Sequence, residues 1–303
     1  MNATLDTGID LHCHSTASDG TLSPAAVVAA AHAAGVRTLA LTDHDTLAGL
    51  DAARTAAASL GLHFIDGVEI STRWRNRTIH VVALDFDPAH TMLHAGLAGL
   101  QAQRCIRAAA IATRLEALGL RDALPRAQAL AAGGQITRAH FARLLVADRL
   151  CRNAQQAFKR FLGTGKPADV KCDWVPMAEA IGWVHIAGGQ IVLAHPLHYD
   201  LSRTQLGNLL RDFQLAGGVA VETSTATTST EDRARVAAMA RAHGLCGSRG
   251  SDFHDPSQSW RRLGAAAPLP ESLEPVWARF RVPPPVCPLQ PPVAAFSPAS
   301  PPS

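Results

Sequence analysis

Asp10-Leu11-His12-Cys13-His14 closes the first apolar, strand-like run of the chain. Residues two apart on a strand project the same way, so His12 and His14 point together while Cys13 faces the opposite side. That geometry suits two imidazoles on one metal ion. An isolated H-x-H is equally compatible with two ordinary strand histidines, and Asp19 in Ser18-Asp19-Gly20 reads by itself as an Asp-Gly turn. Recurrence changes the balance. Thr42-Asp43-His44-Asp45, Gly67-Val68-Glu69, Ala194-His195-Pro196 and Ser251-Asp252-Phe253-His254 each stand where another strand-like run ends. In α/β barrels functional groups collect where strands pass into the following loops, so residues distant in sequence meet at one mouth. His80 departs from this pattern, because it begins an apolar run. His32, His63, His90, His94, His185 and His243 lie on helical or loop patterns and are expected to be structural. Mixed imidazole and carboxylate donors without thiolate suit Mn²⁺, Zn²⁺ or Fe²⁺ and do not select sharply among them.

The elements that must position these groups alternate strand-like and Ala-rich helical stretches. They run Ile9–Leu11, Ser23–Ala34, Thr38–Leu41, Leu47–Leu60, His63–Ile65 and Ile79–Leu84. This is the rhythm of an α/β domain. Ser23-Pro24 supplies an N-cap hydroxyl followed by proline at the first helical position, and Gly35 and Gly61 fit as C-terminal stops. After Pro88 the pattern is helical until about Pro167. Strand-like runs return at Gln190–Ala194, Gly218–Val221 and Leu245–Ser248, separated by helical runs near Arg203–Leu215 and Thr230–His243. The spacing predicts a discontinuous barrel in residues 1–98 and 172–281, a small helical insertion in 99–171, and a disordered Pro-rich tail in 282–303.

The chain has 303 residues, 47% hydrophobic and 17% charged, enough apolar material for one large core or two modest ones. No apolar stretch reaches the ~18 to 20 residues of a membrane span. The first ten residues carry no basic leader region. The expected location is therefore the cytoplasm. Six scattered cysteines form no C-x-x-C pair, against a disulfide framework or a thiolate zinc site. The net charge of +3 conceals an asymmetry, for residues 99–171 hold thirteen Arg and Lys against four acids, a net +9, leaving −6 for the remainder. A basic segment in an acidic scaffold is what phosphate attraction beside bound cations requires, although a solvated helix face gives the same count. A P-loop is excluded because Gly163-Thr164-Gly165-Lys166 is followed by Pro167, and the G-x-S-x-G nucleophile elbow is absent.

The combined pattern H-x-H-S-x-x-S-D-G, T-D-H-D, G-x-E-I-S, H, A-H-P and S-D-x-H resembles the PHP family, named for polymerase and histidinol phosphatase domains. Within it the likeness is to bacterial nucleoside 3′,5′-bisphosphate phosphatases and related 5′→3′ exoribonucleases, over roughly residues 8 to 260. The resemblance implies a distorted seven-stranded, TIM-like β/α barrel with two or three divalent ions, Mn²⁺ foremost and Zn²⁺, Fe²⁺ or Mg²⁺ as alternatives. It implies one ion on His12, His14, Glu69 and Asp252, a second on the bridging Glu69 with His80 and His195, and a third on Asp19, His44 and His254. Such ions neutralise phosphate oxygens and lower the pKa of a water, so a bridging hydroxide is the expected nucleophile. Glu69, Asp252 and His195 are the expected catalytic residues, with Asp252 or a histidine of the cluster moving the proton.

Substrate recognition is expected in the insertion. Arg104 and Arg107 share a helical face, guanidinium forks match phosphate oxygens, and Arg138, Lys171 and His198 are further candidates. Trp74 and Trp174 are expected in the core rather than stacked on a base. The implied partners are a small nucleotide and short single-stranded RNA, with no membrane and no obligatory protein partner. Rival readings are a histidinol-phosphate phosphatase, an amidohydrolase and a non-catalytic metal-binding regulatory module. The amidohydrolase reading wants a bridging carbamylated lysine, yet the only lysines, Lys159, Lys166 and Lys171, lie in the insertion.

Overall fold

In the computed structural model, residues 8–285 are described. Seven strands form one sheet in sequence order: β1 (Ile9–Asp10), β2 (Thr38–Leu41), β3 (His63–Trp74), β4 (Arg77–Leu84), β5 (Gln190–Leu193), β6 (Ala220–Ser224) and β7 (Cys246–Arg249). All neighbouring pairs are parallel except β3 with β4 and β4 with β5. The chain just beyond β7 then pairs with the chain just beyond β1, through Leu11 N to Arg249 O at 3.1 Å, Asp252 N to His12 O at 2.8 Å and His14 N to Phe253 O at 2.8 Å. The sheet is thereby a nearly closed barrel. A Cβ on Gly250 would lie 2.3 Å from that of His12, so closure needs glycine there.

Side-chain alternation divides the barrel as a period of two demands. Ile9, Ala40, Ile65, Val82, Leu84, Val192, Ala220 and Cys246 fill the interior together with Val276, Trp277 and Phe280. Leu39, Leu41, Ile79, Val81, Ala83, Ile191, Leu193 and Val221 face outward against the helices α1 (Pro24–Ala33), α2 (Leu50–Leu60), the first half of α3 (Thr91–Glu116), α7 (Met177–Ile186), α8 (Arg203–Leu215) and α9 (Thr230–Ala242). The Ser23 hydroxyl caps α1 by accepting from Ala26 N, and Gly61 ends α2 in the left-handed region.

The insertion has its own core, formed by the second half of α3 with α4 (Ala123–Ala131), α5 (Arg138–Ala147), α6 (Ala154–Ala157) and the π-helical turn Phe158–Leu162. Because α3 is continuous from Thr91, position 99 falls inside a helix that serves both cores: Leu93, Leu97 and Leu100 pack on the barrel, Ile111 and Leu115 in the insertion. The expectation of a disordered tail lies, from residue 286 on, outside the described residues. Among the described residues no helix is long and apolar enough to cross a membrane.

The β3–β4 hairpin corrects one reading of the sequence and explains another. Glu69 sits within a twelve-residue strand, not at a strand end. His80 sits near the start of a strand that runs backwards relative to its parallel neighbours. The start of a reversed strand lies at the end of the barrel where the others finish, so His80 reaches the same mouth.

Candidate metal centre and its basic wall

Nine side chains converge at the C-terminal mouth of the barrel. Cys13 lies in the outer core, its thiol donating to Ala40 O at 3.2 Å, while His12 and His14 turn inward with ring centroids 5.2 Å apart. Glu69, 1% exposed, divides its two oxygens. Oε1 faces His80 Nδ1 at 2.8 Å and His195 Nε2 at 2.9 Å; Oε2 faces His44 Nδ1 at 2.9 Å, His14 Nε2 at 3.3 Å and His12 Nε2 at 3.4 Å. Asp252 Oδ1 lies 3.5 Å from His14 Nε2 and 3.7 Å from His12 Nε2. Asp19 is flanked by His254 at 3.3 Å and His44 at 3.7 Å.

The motifs around these groups have separate structural work. Asp43 accepts from Ser15 N at 2.8 Å, Ser15 Oγ at 2.6 Å and Ser18 Oγ at 2.6 Å, which fixes the loop carrying His14 and Asp19. Gly20 completes that loop, where a Cβ would meet His14 O at 2.5 Å. Asp45, at φ 53°, accepts from Ser71 N at 2.6 Å while its own N–H donates to Glu69 O at 2.9 Å, tying the His44 loop to β3. His195 (φ 26°) and Asp252 (φ 53°) also occupy the left-handed side, strain that only a firmly packed surround sustains.

The donor set fits divalent cations. Seven atoms, His12 Nε2, His14 Nδ1 and Nε2, Asp19 Oδ1, His44 Nδ1, Glu69 Oε2 and His195 Nδ1, are buried without a sound hydrogen bond. Unpaired buried polar atoms are costly, and their convergence is what a cation would repay. Four overlapping sets bring their donor atoms within 4.8 Å of one another: His14, Asp19, His44 and His254; His12, Glu69 and His195; His12, His14 and Asp252; His44, Glu69 and His80. Glu69 belongs to two of them.

The electrostatics agree. Burial alone would raise each carboxyl, yet His44, His80 and His12 hold Glu69 well below the usual range. His44 and His254 do the same for Asp19, and His254, His14, His12 and Arg261 for Asp252. Burial and the neighbouring His254 push His14 down to about 3. Against the pull of burial, Asp19 and Asp252 raise His254 to about 9.

The insertion meets this mouth directly. Thr137 Oγ1, which caps α5, donates to Asp19 Oδ2 at 2.9 Å; Arg143 donates to Asp19 O, and Gln135 N to Ala17 O at 2.9 Å. Arg104, expected beside Arg107 as a phosphate-binding candidate, is engaged within the protein. It is 7% exposed, with Nε 2.6 Å from Asp45 Oδ2 and Nη2 2.8 Å from Ser71 Oγ. Arg107 is half-buried, its Nε donating to Val170 O at 2.9 Å, and shares the buried Trp174 ring with Arg104 at 5.7 and 5.3 Å. Burial, then repulsion from Arg138 and Arg104, lowers Arg107 to about 10. Arg138 is half-buried with its guanidinium 5.6 Å over Phe158, whereas Lys171 is exposed and joins none of these contacts. His198 is exposed, its ring stacked 5.1 Å from His195. Trp74 is buried and donates to Asp212 Oδ2 at 2.9 Å, a core role.

Two residues at the mouth escaped the sequence reading. Arg261 Nη1 lies 2.7 Å from Asp252 Oδ2, from a loop with no motif to mark it. Glu222 was detectable as the one acid in Val219-Ala220-Val221-Glu222-Thr223, a strand that extends past the Val221 at which the apolar run stops.

A barrel with this mouth is the setting of a hydrolase that gathers metal ions for phosphate-ester chemistry. The PHP domain matches residues 10–163, and the chain belongs to the PHP family. It is 46% identical over 271 residues to a 5′-3′ exoribonuclease of Haemophilus influenzae, covering 89% of this chain and 98% of that protein. It is 41% identical over 270 residues to a 3′,5′-nucleoside bisphosphate phosphatase of Chromobacterium violaceum, covering 89% and 95%. A solved structure from Chromobacterium violaceum, described as an amidohydrolase with bound sulfate and no metal, superposes with a TM-score of 0.86 at 40% identity, covering 90% of this chain and 95% of that one.

Proposed function

We propose that this chain is a metal-dependent phosphoesterase that releases phosphate from nucleoside 3′,5′-bisphosphates and trims short 5′-phosphorylated RNA from its 5′ end. The observation that carries the reading is the division of Glu69, whose oxygens face two separate sets of histidines beside a wall of arginines. Within this reading His12, His14, Glu69 and Asp252 hold one ion, Glu69, His80 and His195 a second, and Asp19, His44 and His254 a third. Divalent ions there would neutralise phosphate oxygens and lower the pKa of a water. Asp252, kept ionised by its histidine neighbours and Arg261, is suited to hold a cation and not to deliver a proton. Arg107 and Arg138 receive the phosphate that is not cleaved, and Arg104 braces Asp45 beneath them. Lys171 and His198 lie at the margin. The names of the relatives support both substrates.

The test measures phosphate release from adenosine 3′,5′-bisphosphate, histidinol phosphate and a 5′-phosphorylated oligoribonucleotide in parallel, before chelation, after it, and after return of Mn²⁺. The bisphosphate is expected to be turned over fastest, and chelation to abolish activity reversibly. Preference for histidinol phosphate would overturn the substrate assignment. Activity indifferent to a chelator would overturn the metal reading.

A further inference from the structure

Glu222 is 3% exposed and lies on β6 two residues after Ala220, hence on the interior face of the barrel. Its oxygens have different partners. Oε1 lies 3.2 Å from His12 Nδ1, and Oε2 accepts from the backbone N–H of His195 at 2.7 Å. Those two residues share one candidate ion set with Glu69. A proton held on His12 Nδ1 by a carboxylate leaves the Nε2 lone pair free, and that nitrogen is the unpartnered one facing Glu69 Oε2 at 3.4 Å. The second contact anchors His195 where its φ is 26°, a conformation that aims the ring back at Glu69 Oε1, 2.9 Å away. No candidate ligand atom of the mouth other than those of His12 and His195 is oriented by Glu222.

We propose that Glu222 is a positioning residue, a single buried carboxylate that sets one ligand of each of the two ions sharing Glu69, His12 through its tautomer and His195 through its backbone. The inference rests on the metal reading given above. It predicts a selective defect, because the Asp19, His44 and His254 group receives its support from Thr137 and the insertion rather than from β6.

The test is Glu222→Gln in the full chain. A carboxamide has one acceptor oxygen and must turn its N–H₂ toward one of the two donors, so one partner is lost with little change of volume. Ion content per chain and Mn²⁺ affinity are measured by elemental analysis and chelator competition, with Tm in chelator as the control for folding. The expected result is one or both of the ions sharing Glu69 bound about 10- to 100-fold more weakly, while the ion of Asp19, His44 and His254 and the Tm in chelator stay as in the parent. Parent-like affinity for every ion would overturn the proposal. So would loss of all ions together with a collapsed Tm, if Glu222→Asp, which keeps the charge but is too short to span both donors, also lost every ion. Selective loss in Glu222→Asp sustains the proposal. A parent protein that binds no ion would instead remove the metal reading itself.

Discussion

Arg107→Ala separates a bisphosphate enzyme from a general phosphatase. The Arg107 Nε is already committed to Val170 O at 2.9 Å, which leaves the two terminal nitrogens as a fork for an anion. Burial and two neighbouring guanidinium groups push the side chain from its ordinary 12.5 to about 10. The repulsion from Arg138 and Arg104 is the part of that shift a phosphate placed among the three guanidinium groups would relieve. A charge-assisted contact contributes about 1.5 to 3 kcal/mol, so kcat/KM for adenosine 3′,5′-bisphosphate should fall about 10- to 150-fold. An aryl phosphate has no second phosphate and should be hydrolysed as before. Arg104→Ala is the internal contrast: its pair with Asp45 is buried on both sides, and removing one partner costs about 3 to 5 kcal/mol of stability, read by denaturant unfolding. It should depress both substrates alike, since Asp45 ties His44 to β3. Equal losses on both substrates in Arg107→Ala would place that arginine at the scissile group or in folding. No loss on either would leave it a packing residue of the insertion, held by Val170 and Trp174, and the assignment of the arginine wall to substrate would fail.

Glu69→Gln should abolish turnover more completely than loss of any one terminal histidine, because it removes a charge shared between two histidine sets; near-parental activity with full ion content would refute that sharing. Asp19→Ala should empty one ion site and spare the others by elemental analysis, and uniform loss would refute the grouping. Stability should fall as pH drops from about 6.5 toward 4 in part through His140, which burial lowers to about 4. Its folded value lies below its unfolded one, so in that window the unfolded chain binds the extra proton and stability rises with pH. His140→Gln keeps an acceptor for Thr137 N and should flatten the dependence measured by urea titration; an unchanged slope would refute the assignment.

The seven strand-like runs and the helices between them were legible because apolar periodicity and Gly, Ser and Pro punctuation are local. Ser23 and Pro24 open α1, and Gly61 closes α2, as their types dictate. The grouping of His12 with His14 likewise follows from strand alternation alone, and Cys13 does turn away. The reversal of β4 was not legible, since an alternating run reads the same in either direction, and so His80 stood as an exception until the hairpin was seen. Neither was the true position of Glu69, because the polar residues of Ile65-Asp66-Gly67-Val68-Glu69 hide a strand that pairs on both sides.

What the sequence by itself determined is therefore the inventory: the α/β class, the number of strands and the side chains able to hold cations. The partners of those side chains depended on the tertiary structure. Arg104 and Arg107 look equivalent three residues apart on one helix, but burial and the facing Asp45 make the first a brace and leave the second open. Glu222 stands 210 residues from His12 and gains meaning only across the closed barrel. Periodicity is encoded in neighbours along the chain, whereas a hydrogen bond between Glu222 on β6 and His12 just beyond β1 is fixed by closure of the barrel, which no local pattern records.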